Sequence, residues 1–149
     1  MPSSSLIKAY EDLIEAKKMD YCDKIGLSNF KESQIVPILI KFPSDPIYMN
    51  QIEMSLVCQN NNLCEYCKKN GIVVQSHSLF SKRGIETEAI EKEYKKEFNE
   101  LVIGWLKFKS INFVFGSSNI DHIKKNIKVE QIEIKNSDLD KINIVKLSY

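Results

Sequence analysis

The sequence predicts an α/β chain with four short parallel strands and flanking helices, in the order α-β-α-β-α-β-α-β-α. Three observations lead there. Apolar residues recur at three- and four-residue steps in some segments and form short β-branched runs in others. The two kinds of segment alternate along the chain, the pattern of a parallel sheet with right-handed crossovers. Small polar residues gather where the short runs end, at Ser28-Asn29, Asn50-Gln51, His77-Ser78 and Ser117-Ser118. In such sheets, ligand groups sit at the C-terminal ends of the strands.

The first helix is read from Ser4 or Ser5 to Met19, because Leu6, Ala9, Tyr10, Leu13 and Ile14 fall on one face. "YCDKIGLSN" is the first strand, and a helix from Lys31 to Lys41 follows, with Pro37 expected to kink or stop it. "FPSDP" turns the chain into the second strand, "IYMNQIEM". "NNNLCEYCKKNG" reads as a short helix with an Asn cap, a stripe at Leu63 and Cys67, and an Asn70-Gly71 stop. "GIVVQSH" is the clearest strand, β-branched and short.

After the polar loop "SLFSKRG", one long helix is expected from Thr87 to Lys107, with Ile90, Tyr94, Phe98, Leu101, Val102 and Trp105 on its buried face. Its "EAIEKEYKKEF" run is the solvated face, with ion pairs four residues apart. "INFVFGSS" is the fourth strand, a helix from Ile120 to Lys128 follows, and a last helix opens at "NSDLDKI".

At 149 residues with 43% hydrophobic residues, the chain suits one domain with a real core. Net charge is +1, with 21 basic and 20 acidic residues mixed along the sequence. That distribution announces neither a nucleic-acid face nor a polybasic membrane anchor. No segment approaches the roughly 18 consecutive apolar residues of a membrane span, and "MPSSSLIKAY" lacks the run of a signal peptide, so the cytosol is the expected compartment. Four cysteines, irregularly spaced, do not make a disulfide scaffold and are expected to be reduced.

Strand ends that offer amides and hydroxyls with few charges suit a planar, hydrogen-bonding ligand better than a metal. Taken alone, Ser28-Asn29 reads first as a polar helix cap or strand terminator, and only then as a ligand group. Cys64 and Cys67 form a CxxC, but at i, i+3 on a helix with no second pair and no nearby histidine, core packing is the better reading. His77 is either a structural group at a strand end or a ring that stacks on a ligand.

From "LIKAYEDLIEAKKMDYCDKIGLSNF" through "NQIEMSLVCQNNNLCEYCKKNGIVVQSHSLF" to "AIEKEYKKEFNELVIGWLKFKSINFVFGSSNIDHIKKN", the chain resembles the aldo-keto reductases. These are NADP-dependent (β/α)8 barrels that reduce aldehydes and ketones. The match is to the C-terminal half of that barrel, so residues 1–149 are expected to form a partial domain, half of a (β/α)8 barrel. A full barrel takes about 250 residues.

The resemblance implies a cofactor site. Ser28 and Asn29 match the pair that hydrogen-bonds the nicotinamide carboxamide, and Gln51 matches the amide that does so from the next strand. His77 stands where the family has a tyrosine stacked on the nicotinamide. Ser78 and Phe80 lie in the loop that passes the pyrophosphate, with Lys82 and Arg83 as counter-charges. Ser117, Ser118 and Asn119 match the segment that meets the 2′-phosphate at a helix start, and Asn126 matches a residue on the adenine. His122 replaces the usual arginine or glutamine, Gly116 a basic residue, and Lys125 a glutamate, so NADP is the implied cofactor with NAD left open.

The family's catalytic Asp, Tyr, Lys and His lie in its first four strands, and no position here matches them. The resemblance therefore implies the cofactor-binding half of an oxidoreductase that does not turn over as this chain alone. It would work with a complementary N-terminal half-barrel chain, or pair with itself as a two-fold homodimer that covers its open edges and an apolar inner sheet face. The alternatives are a non-catalytic cofactor- or protein-binding subunit, such as the family's channel β-subunits and the regulatory subunit of glutamate-cysteine ligase, and a decayed gene fragment.

Overall fold

The computed structural model describes residues 4–81 and 85–129. Ten elements follow one another: α1 (Ser4–Lys18), β1 (Gly26–Ser28), α2 (Glu32–Lys41), β2 (Met49–Glu53), α3 (Asn61–Lys69), β3 (Val73–His77), α4 (Ile85–Tyr94), α5 (Phe98–Phe108), β4 (Asn112–Phe113) and α6 (Ile120–Val129). The strands form one sheet in the order β1-β2-β3-β4, all parallel, as the alternation predicts. Lys82, Arg83 and the helix expected at "NSDLDKI" lie outside the described residues.

The chain divides into two compact units, Met1–Ile52 with Asn60–Gln75, and Glu53–Gln59 with Ser76–Tyr149. In the first, β1 and β2 pair with Gly26 opposite Met49, Leu27 opposite Asn50 and Ser28 opposite Gln51. Alternation then sorts the side chains: Leu27, Asn50, Ile52 and Val74 are buried, while Ser28, Gln51 and Gln75 lie on the other, more exposed face. This more exposed face is mixed rather than purely apolar, since alternation puts Met49 and Val73 on it beside Ser28, Gln51, Glu53 and Gln75.

The core of this unit is Tyr10 and Ile14 of α1, Ile35 and Ile38 of α2, Cys67 of α3, and the strand residues beneath them. Tyr10 donates its hydroxyl to the Asp45 carbonyl at 3.0 Å, while Lys17 pairs with the Asp45 carboxylate at 3.2 Å. The desolvated phenol, with Asp45 beside it, has its pKa pushed up to about 12. Pro37 does not end α2, which continues to Lys41. Ile35 and Ile38, on either side of it, are buried, and their burial offsets the cost of the lost N–H. The α3 stop is the expected one: Gly71 takes φ +69, and the N–H of Ile72 reaches back to the Cys67 carbonyl at 2.9 Å. At the other end Asn60 is the N-cap residue but makes no capping bond through its side chain, its backbone being left-handed at φ 47.

In the second unit the expected long helix is two helices. The chain breaks at Lys95, whose φ is +50, and restarts at Phe98. Two carboxylates cap the restart: Glu100 accepts from the Glu97 N–H and Glu91 from the Phe98 N–H, each at 2.8 Å. The break lets α5 bury Phe98 and all of 101–106, more than the single stripe of a continuous surface helix. β4 is only Asn112–Phe113, shorter than the expected "INFVFGSS". Its tail stays close to β3, since the Val114 N–H donates to the Ser76 carbonyl at 3.0 Å.

Candidate cofactor site

The site residues of the first unit meet at the ends of β1 and β2. Ser28 closes β1, and Asn29 turns out of it with φ 58, a left-handed backbone that asparagine tolerates. The Asn29 N–H donates to the Gln51 carbonyl at 2.8 Å, and its Nδ2 lies 3.5 Å from Ser28 Oγ. Ser28, Asn29 and Gln51 thus share one strand-end corner, joined through the backbone. Beneath them Asn50, fully buried, hydrogen-bonds the backbone of Phe30 in the loop after Asn29.

Sequence reasoning missed two members of this corner. One is Asn50, which it saw only as strand-end polarity. The other is Gln75, whose Oε1 accepts from Gln51 Nε2 at 2.6 Å. The signal for both was present, because alternation along β2 and β3 separates Asn50 from Gln51 and puts Gln51 and Gln75 on like faces.

The remaining site residues belong to the second unit. His77 ends β3, Ser78 follows with φ 55, and His77 Nδ1 is 2.9 Å from Ser78 Oγ. Ser81 ties this loop down: its hydroxyl lies 2.8 Å from the Ser78 carbonyl and 3.2 Å from Glu53 Oε1. Residues 77–81 and 114–116, Phe80 among them, line a cleft of about 490 Å³. That is within the usual range for a small-molecule site.

Ser117, Ser118 and Asn119 lead into α6. Ser117 Oγ accepts from the Asn119 N–H at 3.0 Å, and Asn119 Oδ1 caps the helix by accepting from the Asp121 N–H at 2.8 Å. His122 is exposed on the first turn of α6. Asn126 is buried, with its Oδ1 accepting from Asn99 Nδ2 at 2.7 Å, and Lys125 pairs with Glu97 at 2.5 Å. Both are held by protein neighbours.

The CxxC packs as expected of core residues. Cys67 is fully buried and Cys64 partly so, and none of the four cysteines is in a disulfide. Burial pushes the Cys67 thiol up, with a hydrogen bond to Asn50 pulling the other way. Among the described residues no helix is long and apolar enough to cross a membrane.

Solved structures share this fold. An aldo/keto reductase from Brucella melitensis aligns with 95% of this chain and 56% of its own, at TM-score 0.80 and 22% identity. An aldo-keto reductase from Bombyx mori in complex with NADP aligns with 92% of this chain and 49% of its own, at TM-score 0.74 and 21% identity. Four parallel strands with flanking helices are thus half of the (β/α)8 barrel.

Among curated relatives, NADPH-dependent codeinone reductase 1-5 of Papaver somniferum is 25% identical over 90% of this chain and 45% of its own length. NAD(P)H-dependent 6′-deoxychalcone synthase of Glycine max is 28% identical over 93% of this chain and 47% of its own. The chain spans about half the length of the curated relatives it matches. Residues 2–100 match the profile of the Aldo/keto reductase family, and the chain belongs to that family.

Proposed function

We propose that this chain is the cofactor-binding half of an NADP(H)-dependent carbonyl oxidoreductase, holding the dinucleotide for hydride transfer to or from an aldehyde or ketone. The observation that carries the reading is the corner of Ser28, Asn29 and Gln51, side chains of a planar amide-binding kind brought to adjacent parallel strand ends. NADPH-dependent relatives support the choice of cofactor. Ser28 and Asn29 bind the carboxamide oxygen and Gln51 its NH2, so the ring is fixed in plane before reaction. His77 stacks on the ring, Ser78 and Phe80 flank the pyrophosphate, and 117–119 with the α6 start receive the 2′-phosphate. By the same resemblance His122 falls with the 2′-phosphate group and Asn126 with the adenine.

The residues that transfer the proton in this family have no counterparts among these 149, so a complementary half-barrel segment supplies them. A second copy of this chain covers the same edges without adding an acid. The four cysteines, none of them in a disulfide, fit a reducing, cytosolic setting.

The test is titration of the purified chain with NADPH, following cofactor fluorescence, beside an aldehyde-reduction assay. Saturable binding without turnover is expected, with turnover restored by a half-barrel carrying the Asp, Tyr, Lys and His. Absence of binding sinks the cofactor reading, and turnover by the chain alone sinks the need for a partner.

A further inference from the structure

We infer that Asn50 is a positioning residue of the cofactor corner: through the backbone of Phe30 it holds Asn29 in the left-handed conformation from which that side chain meets the nicotinamide carboxamide. This rests on the cofactor reading above. A left-handed backbone is a minor state even for asparagine, so φ 58 at Asn29 calls for anchors on both sides. On the near side, the Asn29 N–H is bonded to the Gln51 carbonyl at 2.8 Å. On the far side, Asn50 takes both backbone groups of Phe30, its Nδ2 donating to the carbonyl at 2.8 Å and its Oδ1 accepting from the N–H at 3.3 Å.

A backbone N–H only donates and a carbonyl only accepts, so the Asn50 amide satisfies both in one orientation alone. The grip is covered: Asn50 is fully buried, and the Cys67 thiol of α3 shares a further hydrogen bond with it. An apolar residue would fill that place without desolvating an amide, so what Asn50 adds is the hold on the loop. Held there, Asn29 has its Nδ2 3.5 Å from Ser28 Oγ, and the pair receives a carboxamide oxygen without rearranging the chain.

The experiment compares equilibrium binding of NADP+ and of 2′-phospho-ADP-ribose, the same molecule without its nicotinamide, to the full chain as wild type, Asn50→Leu, Asn29→Gly and the double variant. With the clamp gone and Asn29 in its competent conformation about a tenth of the time, Asn50→Leu should bind NADP+ roughly tenfold more weakly and the fragment within about twofold of wild type. Glycine has no amide to position. In the Asn29→Gly chain the same Asn50→Leu change should therefore cost NADP+ binding less than about twofold. If Asn50→Leu does not fold, amide hydrogen exchange of the wild-type chain decides the matter, because the Phe30 N–H should be protected as strongly without NADP+ as with it.

Equal losses on NADP+ and the fragment, the mark of a merely structural role, overturn the inference. So do a loss of similar size in the Asn29→Gly chain, an Asn50→Leu chain that binds as wild type does, and a Phe30 amide that gains protection only when NADP+ binds. A wild-type chain that binds neither ligand overturns the cofactor reading itself, and this inference with it.

Discussion

Asn50 grips the backbone of Phe30 at two points: its Nδ2 donates to the Phe30 carbonyl at 2.8 Å and its Oδ1 accepts from the Phe30 N–H at 3.3 Å. A fully buried amide on β2 thereby fastens the loop that leaves β1, just past the left-handed turn at Asn29. Replacing Asn50 by Leu fills the space but leaves both Phe30 groups without their partner. Unfolding free energy from urea titration should fall by about 1–3 kcal/mol. A stability equal to wild type would show that the clamp is dispensable.

Asn29 is better tested by glycine than by alanine. Glycine takes φ 58 without strain, so Asn29→Gly removes the amide and little else. NADPH affinity should drop by roughly 1–3 kcal/mol with the melting temperature nearly unchanged. Unchanged affinity would count against the carboxamide role of this side chain.

The second unit depends on α5. Leu101 is fully buried there, and Leu101→Ala should cost about 2–5 kcal/mol, the spread set by how far the neighbours collapse into the space. Thermal or denaturant unfolding measures it, and a loss below about 1 kcal/mol would contradict a close-packed α5.

Lys95 makes the break between α4 and α5 at φ +50. A β-branched residue resists that conformation and glycine accepts it, so Lys95→Val should destabilise the chain by about 1–2 kcal/mol and Lys95→Gly should be neutral or stabilising. The reverse order would argue for one continuous helix.

Tyr10 links stability to alkaline pH. Its folded pKa of about 12 lies above the ordinary value of 10.0, so the folded state keeps a proton that the unfolded chain gives up. Its contribution is complete below pH 10 and is lost as pH rises through 12. Tyr10→Phe should remove up to one proton's worth of slope, about 1.4 kcal/mol per pH unit, from that limb of the stability curve. An unchanged slope would mean that the phenol does not titrate differently in the two states.

Much of the fold was legible locally. Period and turn chemistry placed α1, α3, β3 and α6 within a residue or two, because amphipathic stripes and the Asn70-Gly71 stop are local signals. The break at Lys95 was not, since "EYKKEF" holds no glycine, proline, serine, threonine, aspartate or asparagine, and the carboxylates of Glu91 and Glu100 that cap the restart act only once it exists. Ser28, Asn29 and Gln51 were legible as strand-end polarity and as a family pattern. Gln75, partnered with Gln51 across a strand boundary, was visible only as alternation.

By itself the sequence determined the alternation of strands and helices, the polar strand ends, and membership in a family whose members run to about twice its length. Those are properties of short windows and of residue order. Tertiary structure decided that α2 runs on through Pro37, that the long helix divides, that Asn126 is buried against Asn99, and that Gln51 turns its donor to Gln75. Each of these is settled by groups distant along the chain, where burial and hydrogen-bond partners outweigh local preference.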